Sequence, residues 1–147
     1  MKEKVLTLDN IKETAEEILK EVDKGSLNRA TIIAFYGDLG TGKTTITQEI
    51  ARQLGISKNV ISPTFVIMKI YKTKNPKFKN LIHIDAYRLK KSEELIHLGW
   101  EEIAKNQDNL VVVEWPERVP ECVASGVYNV KLEHKNENTR TIKFWYT

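Results

Sequence analysis

The sequence predicts an α/β protein, a three-layer sandwich in which a mixed β-sheet carries helices on both faces and the chain closes with a hairpin. Three observations carry that prediction. Two short apolar runs, Thr31–Tyr36 and Leu110–Glu114, show no polar alternation and so read as strands buried on both faces. Apolar residues recur at helical spacing in the segments around Ile11–Val22, Thr45–Leu54 and Leu95–Ile103. The tail holds two β-branched and aromatic runs, Val127–Leu132 and Thr141–Tyr146, parted by the turn-forming stretch Lys135–Asn138. Strands alternating with helices imply parallel pairing, and the hairpins add antiparallel edges.

Taken in order, Val5–Leu8 reads as a short strand, and Asn10 with Glu13 reads as a reciprocal helix cap. Ile11, Ala15, Ile18, Leu19 and Val22 then line one helical face until Gly25 stops it. After the strand Thr31–Tyr36, a second helix places Ile46, Ile50, Ala51 and Leu54 on one side and ends at Gly55. Phe65–Tyr71 and Leu81–Asp85 suggest an antiparallel hairpin across the lysine-rich turn at Asn75–Pro76. Ser92 is placed to cap a helix carrying Leu95, Ile96, Trp100 and Ile103.

The size of 147 residues suits one domain, residues 1–147, with a single core and little room for a second large substrate. Hydrophobic content of 41% and charged content of 29% are those of an ordinary globular protein, which argues against a disordered or fibrous chain. A net charge of +3, with Lys and Glu interspersed, provides no basic arm for nucleic acid. Lys72, Lys74, Lys77 and Lys79 do cluster, and they read as a solvated loop in preference to a face for an acidic partner or RNA. Cys122 is alone, so no internal disulfide or zinc cluster is expected, and a reducing compartment fits. With no apolar run of signal-peptide or membrane-spanning character, a cytoplasmic protein without a membrane role is expected.

Gly37, Asp38, Leu39, Gly40, Thr41, Gly42, Lys43 and Thr44 spell G-x-x-x-x-G-K-[ST] between a predicted strand and a predicted helix. In that context the glycines let successive backbone N–H groups point inward, and the helix N-terminus adds partial positive charge. Such a phosphate loop would bring Lys43 to the β- and γ-phosphates of a nucleoside triphosphate and the Thr44 hydroxyl to magnesium. Phosphoryl chemistry also needs an acid for the metal and a group to position the attacking oxygen. Asp85 and Glu114 each end an apolar run, and ligands of open α/β sheets lie at the carboxyl ends of strands. Either acid fits metal binding through water, or orientation of the attacking water. Thr64, after Ser62-Pro63, lies in a connection suited to cover the γ-phosphate, or in a plain turn. His83, between Ile82 and Ile84, reads as a hydrogen-bonded core residue in preference to a base. Trp115 reads as core or as a neighbour of the nucleotide, and Arg88 as a partner of phosphate or of a nearby acid.

Several motifs then line up in order: Tyr36 through Thr45, Ser62-Pro63-Thr64-Phe65, and His83-Ile84-Asp85-Ala86-Tyr87-Arg88-Leu89. After these come Glu94-Leu95, Leu98-Gly99 and Val113-Glu114-Trp115-Pro116-Glu117-Arg118-Val119-Pro120. From the first helix to about Pro120 the chain resembles the TsaE (YjeE) family, P-loop ATPases of bacterial tRNA threonylcarbamoyladenosine biosynthesis. The resemblance implies a P-loop NTPase-like fold, binding of ATP and magnesium, and weak ATP hydrolysis that partners stimulate. It implies TsaD and TsaB homologues as those partners, with tRNA met indirectly through their complex. By matched motif it implies that Gly40 to Thr45 form the nucleotide loop and that Thr44 and Glu114 are linked through magnesium. It likewise gives Asp85 the Walker-B position, Thr64 a switch-like role, and Trp115 the place after the catalytic acid. Thr41 departs from the alanine often found there. A small-molecule kinase using the same loop is the alternative, although no arginine-bearing lid follows residue 89. A regulatory GTPase would need an Asn-Lys-x-Asp segment, which is absent.

Overall fold

The computed structural model describes residues 1–24, 28–38 and 40–147. Among these, seven strands form one mixed sheet: β1 (Lys2–Leu6), β2 (Thr31–Tyr36), β3 (Met68–Lys72), β4 (Asn80–Asp85), β5 (Asn109–Glu114), β6 (Val127–Asn136) and β7 (Thr139–Tyr146). Their order across the sheet is β1-β7-β6-β2-β5-β4-β3. The centre is parallel, with β2 between β5 and β6 and β4 beside β5. Both margins are antiparallel, β3 on β4 at one side and β6-β7-β1 at the other. The mixed sheet and the terminal hairpin match the architecture expected from the sequence.

Period-2 alternation sorts the central strands onto two faces. Ile33, Phe35, Leu81, Leu110 and Val112 pack with Ala15, Ile18 and Val22 of α1 (Ile11–Asp23) and with Ile46, Ile50 and Ala51 of α2 (Lys43–Gln53). Ile32, Ala34, Ile82, Ile84, Val111 and Val113 pack on the opposite face against Leu95 of α3 (Ser92–His97) and Trp100 of α4 (Trp100–Lys105). Helices therefore cover both faces, and β2 and β5 are buried on both sides as their unbroken apolar runs require. No helix of the described residues is long and apolar enough to cross a membrane.

Local details depart from the sequence reading for identifiable reasons. Asn10 and Glu13 do not form a reciprocal cap. Instead the Asn10 amide reaches back, accepting from the Thr7 N–H and donating to the Val5 carbonyl, which ties β1 to the turn ahead of α1. The first strand accordingly ends at Leu6, and Leu8 belongs to a short 3-10 turn. The strand expected from Phe65 starts only at Met68, because the Ile67 N–H bonds the Pro63 carbonyl at 2.6 Å and folds Thr64–Ile67 into a turn. Ser92 does not cap. It is the first residue of α3, and its hydroxyl accepts from the Glu121 N–H. The single helix expected after it breaks into α3 and α4 at Gly99, whose φ of 98° few other residues would adopt. The terminal hairpin spans the expected residues, but its strands run further than expected, Val127–Asn136 and Thr139–Tyr146, so the turn tightens to Glu137-Asn138. The expected helix stop at Gly25 lies outside the described residues.

Candidate nucleotide site

The loop between β2 and α2 is held in a shape that only glycine permits at its first position. Gly37 has φ 146°, and a Cβ there would lie 2.8 Å from both the Leu132 carbonyl oxygen and the Thr41 Oγ1. β6 thus braces the loop from behind, through a contact made by a residue ninety-five positions away in the chain. The Thr41 hydroxyl and N–H both donate to the Asp38 carbonyl, at 2.8 and 3.3 Å, closing the turn. α2 then begins at Lys43, so the free N–H groups of its first turn and the positive end of its dipole are directed toward the loop.

Lys43 is only 4% exposed. Its ammonium donates to the Gly37 carbonyl at 2.5 Å and sits 4.1 Å from the centre of the Trp115 ring. Burial holds its pKa below the ordinary lysine value, while the nearby carboxylates of Glu114 and Asp85 push it back up. Trp115 is able to form this seat because its backbone lies in the left-handed region (φ 59°), which swings the ring off the end of β5 toward the loop. Tyr87 packs on the same ring with a centroid separation of 5.0 Å.

The two acids are register neighbours, Asp85 on β4 beside Glu114 on β5. By alternation with Leu81 and with Leu110 and Val112, both point to the face that α2 covers. Asp85 is buried and accepts three hydrogen bonds: the Ser62 and Thr64 hydroxyls on Oδ2 at 3.0 and 2.9 Å, and the Tyr87 N–H on Oδ1 at 2.9 Å. Glu114 is equally buried, and its Oε2 lies 2.5 Å from His83 Nε2.

One pocket of about 330 Å³ gathers these groups, being lined by Gly40, Gly42, Lys43, Thr44, Thr45, Ser62, Thr64, Asp85, Glu114 and Trp115. A larger cavity of about 550 Å³ adjoins it across the loop, sharing Gly40, Gly42 and Thr45. Thr41, the turn Leu6–Asp9 with Ile11, and the hairpin tip Glu137–Arg140 form its other walls. Asp38 stands apart from both, in a third cavity of about 500 Å³ with Gly37, Glu117 and Lys131. Leu39 lies outside the described residues.

Of the residues singled out by sequence, the fold thus brings Lys43, Thr44, Thr64, Asp85, Glu114 and Trp115 to one pocket. His83 is a buried hydrogen-bonded residue, as expected. Among the described residues Arg88 pairs with neither phosphate loop nor acid, and its guanidinium instead lies 4.9 Å from the Phe65 ring on the surface. Sequence reasoning missed Ser62 as a donor to Asp85, and it missed Arg140, whose guanidinium reaches the Gly40 carbonyl at 3.4 Å. Nothing in the local sequence around Arg140 signals that contact, which exists only because β7 returns beside the loop.

The donor set suits magnesium. Thr44, Asp85 and Glu114 offer hard oxygen ligands, and no group of three His, Cys, Asp or Glu among the described residues converges as an all-protein cage. Magnesium characteristically takes one or two carboxylates and leaves its remaining positions to phosphate and water.

A family model described as "Threonylcarbamoyl adenosine biosynthesis protein TsaE" matches residues 6–142. The chain belongs to the TsaE family. It is similar to the tRNA threonylcarbamoyladenosine biosynthesis protein TsaE of Rickettsia felis, with 38% identity over 137 residues covering 92% of this chain and 76% of the relative. To the corresponding protein of Rickettsia prowazekii it is 38% identical over 135 residues, covering 91% and 89% of the two chains. Among solved structures, the crystal structure of Bacillus subtilis YdiB superposes with a TM-score of 0.68 at 26% identity, covering 97% of this chain and 84% of that one. That likeness and the strand order above agree with a P-loop NTPase-like fold for this TsaE-family chain.

Proposed function

We propose that this chain binds ATP with magnesium and hydrolyses it as a component of the cytoplasmic machinery that makes N6-threonylcarbamoyladenosine at position 37 of tRNA. In this reading residues 1–147 act as one ATPase domain on a complex of TsaB and TsaD homologues, and meet tRNA only through that complex. The observation that carries the reading is the convergence, on one pocket at the mouth of the phosphate loop, of a buried lysine, a helix-start threonine and two strand-end acids.

The division of labour follows from placement. The loop amides and the Lys43 ammonium receive the β- and γ-phosphates, and the adjoining cavity of about 550 Å³ takes the nucleoside. Thr44 holds magnesium with Glu114 and Asp85, directly or through water. Magnesium, when bound, neutralises charge on the phosphate oxygens. Asp85 and Glu114 orient the attacking water, and Thr64 faces the γ-phosphate from the opposite wall. The tRNA role rests on the names borne by the relatives. It is tested by measuring ATP turnover with and without cognate TsaB and TsaD. Slow turnover alone and a clear rise with both partners are expected. Absence of turnover in both settings removes the ATPase reading, and rapid phosphorylation of a small molecule by the isolated chain replaces it with the kinase alternative.

A further inference from the structure

We infer that His83 is a positioning residue for Glu114, an inference that rests on the ATPase reading above. His83 sits on β4 two residues before Asp85 and is completely buried. Its register partner on β5 is Val112, so Glu114 is its diagonal neighbour on the same face. The imidazole Nε2 lies 2.5 Å from Glu114 Oε2, and the other ring nitrogen, Nδ1, is buried without a partner among the described residues.

That asymmetry identifies what the ring does. An aliphatic or aromatic side chain at this position would fill the space and leave no orphaned nitrogen, so packing alone gives no reason for imidazole. The arrangement accounts for itself through Nε2. With the proton there, the ring donates to one oxygen of the Glu114 carboxylate and fixes its rotation. Glu114 also lines the phosphate pocket, so its second oxygen is left to magnesium or to the attacking water. The opposite tautomer would bury an unpaired N–H and set a lone pair against the carboxylate. Asp85 has its own three donors and needs no such help. The two acids are therefore oriented by separate devices, Asp85 by the turn that carries Thr64 and Glu114 by the sheet.

Two substitutions separate positioning from packing. His83→Gln carries an amide nitrogen at the level of Nε2, whereas His83→Asn carries one only at the level of Nδ1. With TsaB and TsaD present, H83N should lower kcat roughly 10–100-fold while leaving the Kd for a non-hydrolysable ATP analogue within about 2-fold. H83Q should restore kcat to within about 3-fold of the parent. Independently of activity, the imidazole nitrogen NMR signals of the unsubstituted protein should show the Nε2–H tautomer and should shift in Glu114→Gln. H83N turning over at the parent rate, H83Q as slow as folded H83N, or an Nδ1–H tautomer would each overturn the inference. If the parent protein hydrolyses no ATP with its partners, the ATPase reading fails on that ground. The tautomer signal then still decides the pairing, Nε2–H sustaining it and Nδ1–H ending it.

Discussion

Replacing Lys43 by methionine isolates the phosphate-binding cation from the fold. Methionine keeps an unbranched side chain of similar length and makes a favourable sulfur contact with an aromatic ring, so the place above Trp115 stays filled. On the protein side, the change removes one charge-assisted hydrogen bond to the Gly37 carbonyl and one cation–π contact. Those together are worth about 2–5 kcal/mol in gross terms. Against this stands relief from burying an ammonium that is 4% exposed, a desolvation cost of several kcal/mol. The two nearly cancel, and Tm should move by less than roughly 5 °C for a chain of this size. On the ligand side nothing offsets the loss. Two charge-assisted contacts to the β- and γ-phosphates, each about 1.5–3 kcal/mol, amount to roughly 10²- to 10⁴-fold in Kd. Calorimetric titration with a non-hydrolysable ATP analogue and a thermal melt read the two sides separately. A folded Lys43→Met protein that binds the analogue like the parent refutes the phosphate assignment. A collapse in Tm would show that the ammonium is a structural strut instead.

Glu114→Gln and Asp85→Asn should both depress kcat far more than they weaken analogue binding, since groups that position metal or water act mainly in the transition state. Asp85→Asn should also melt earlier, because an amide cannot accept all three donors now on that carboxylate; parent-like turnover in both would make these acids structural. Cys122 is buried, and burial pushes its thiol up to about 11, so native protein at pH 8 should resist iodoacetamide and denatured protein should react. Because the folded pKa is raised above the ordinary 9.0, the stability tied to the neutral thiol is full below pH 9 and lost as pH rises through about 11; Cys122→Ala should remove that alkaline decline in thermal melts. ATP should strengthen binding to TsaB–TsaD relative to ADP, and Thr64→Val should erase the difference in a titration with each nucleotide.

The sequence contained the strand-loop-helix context of the phosphate loop and the two strand-end acids because each is a local signal: a glycine spacing, or an apolar run ending in a carboxylate. Alternation even places Asp85 and Glu114 on one face once their strands are neighbours, and that neighbourhood is what the sequence leaves open. The rest depended on long-range packing. Gly37 is confined by β6 and Gly40 is touched by Arg140 of β7, contacts spanning about a hundred residues that leave no local trace. The segment after Pro63 misled for a different reason. Phe65-Val66-Ile67 has strong β character, yet a 2.6 Å bond to the Pro63 carbonyl and the hydroxyl contacts to Asp85 favour a turn over strand pairing.

That turn sets the two walls of the pocket on different footings. Lys43, Thr44, Asp85 and Glu114 stand on a buried sheet and the helix packed against it, where any displacement must disturb close-packed side chains. Thr64 stands on a surface turn whose fourth residue, Ile67, is β-branched yet held at φ 69°, a conformation that costs about 1–2 kcal/mol. Phe65 and Val66, on the same turn, are 82% and 59% exposed. The wall that Thr64 provides is consequently the more movable one: the Ile67 carbonyl is anchored by the Asp85 N–H at 2.8 Å, while Thr64 itself is tethered through its hydroxyl, with that of Ser62, to the Asp85 carboxylate. A phosphate oxygen competing for the Thr64 hydroxyl would change that tether without deforming the core. The exposed side chains beside it would carry the change outward. A rigid wall facing a strained wall that can shift is the arrangement through which the proposed ATPase would pass its nucleotide state to a protein partner.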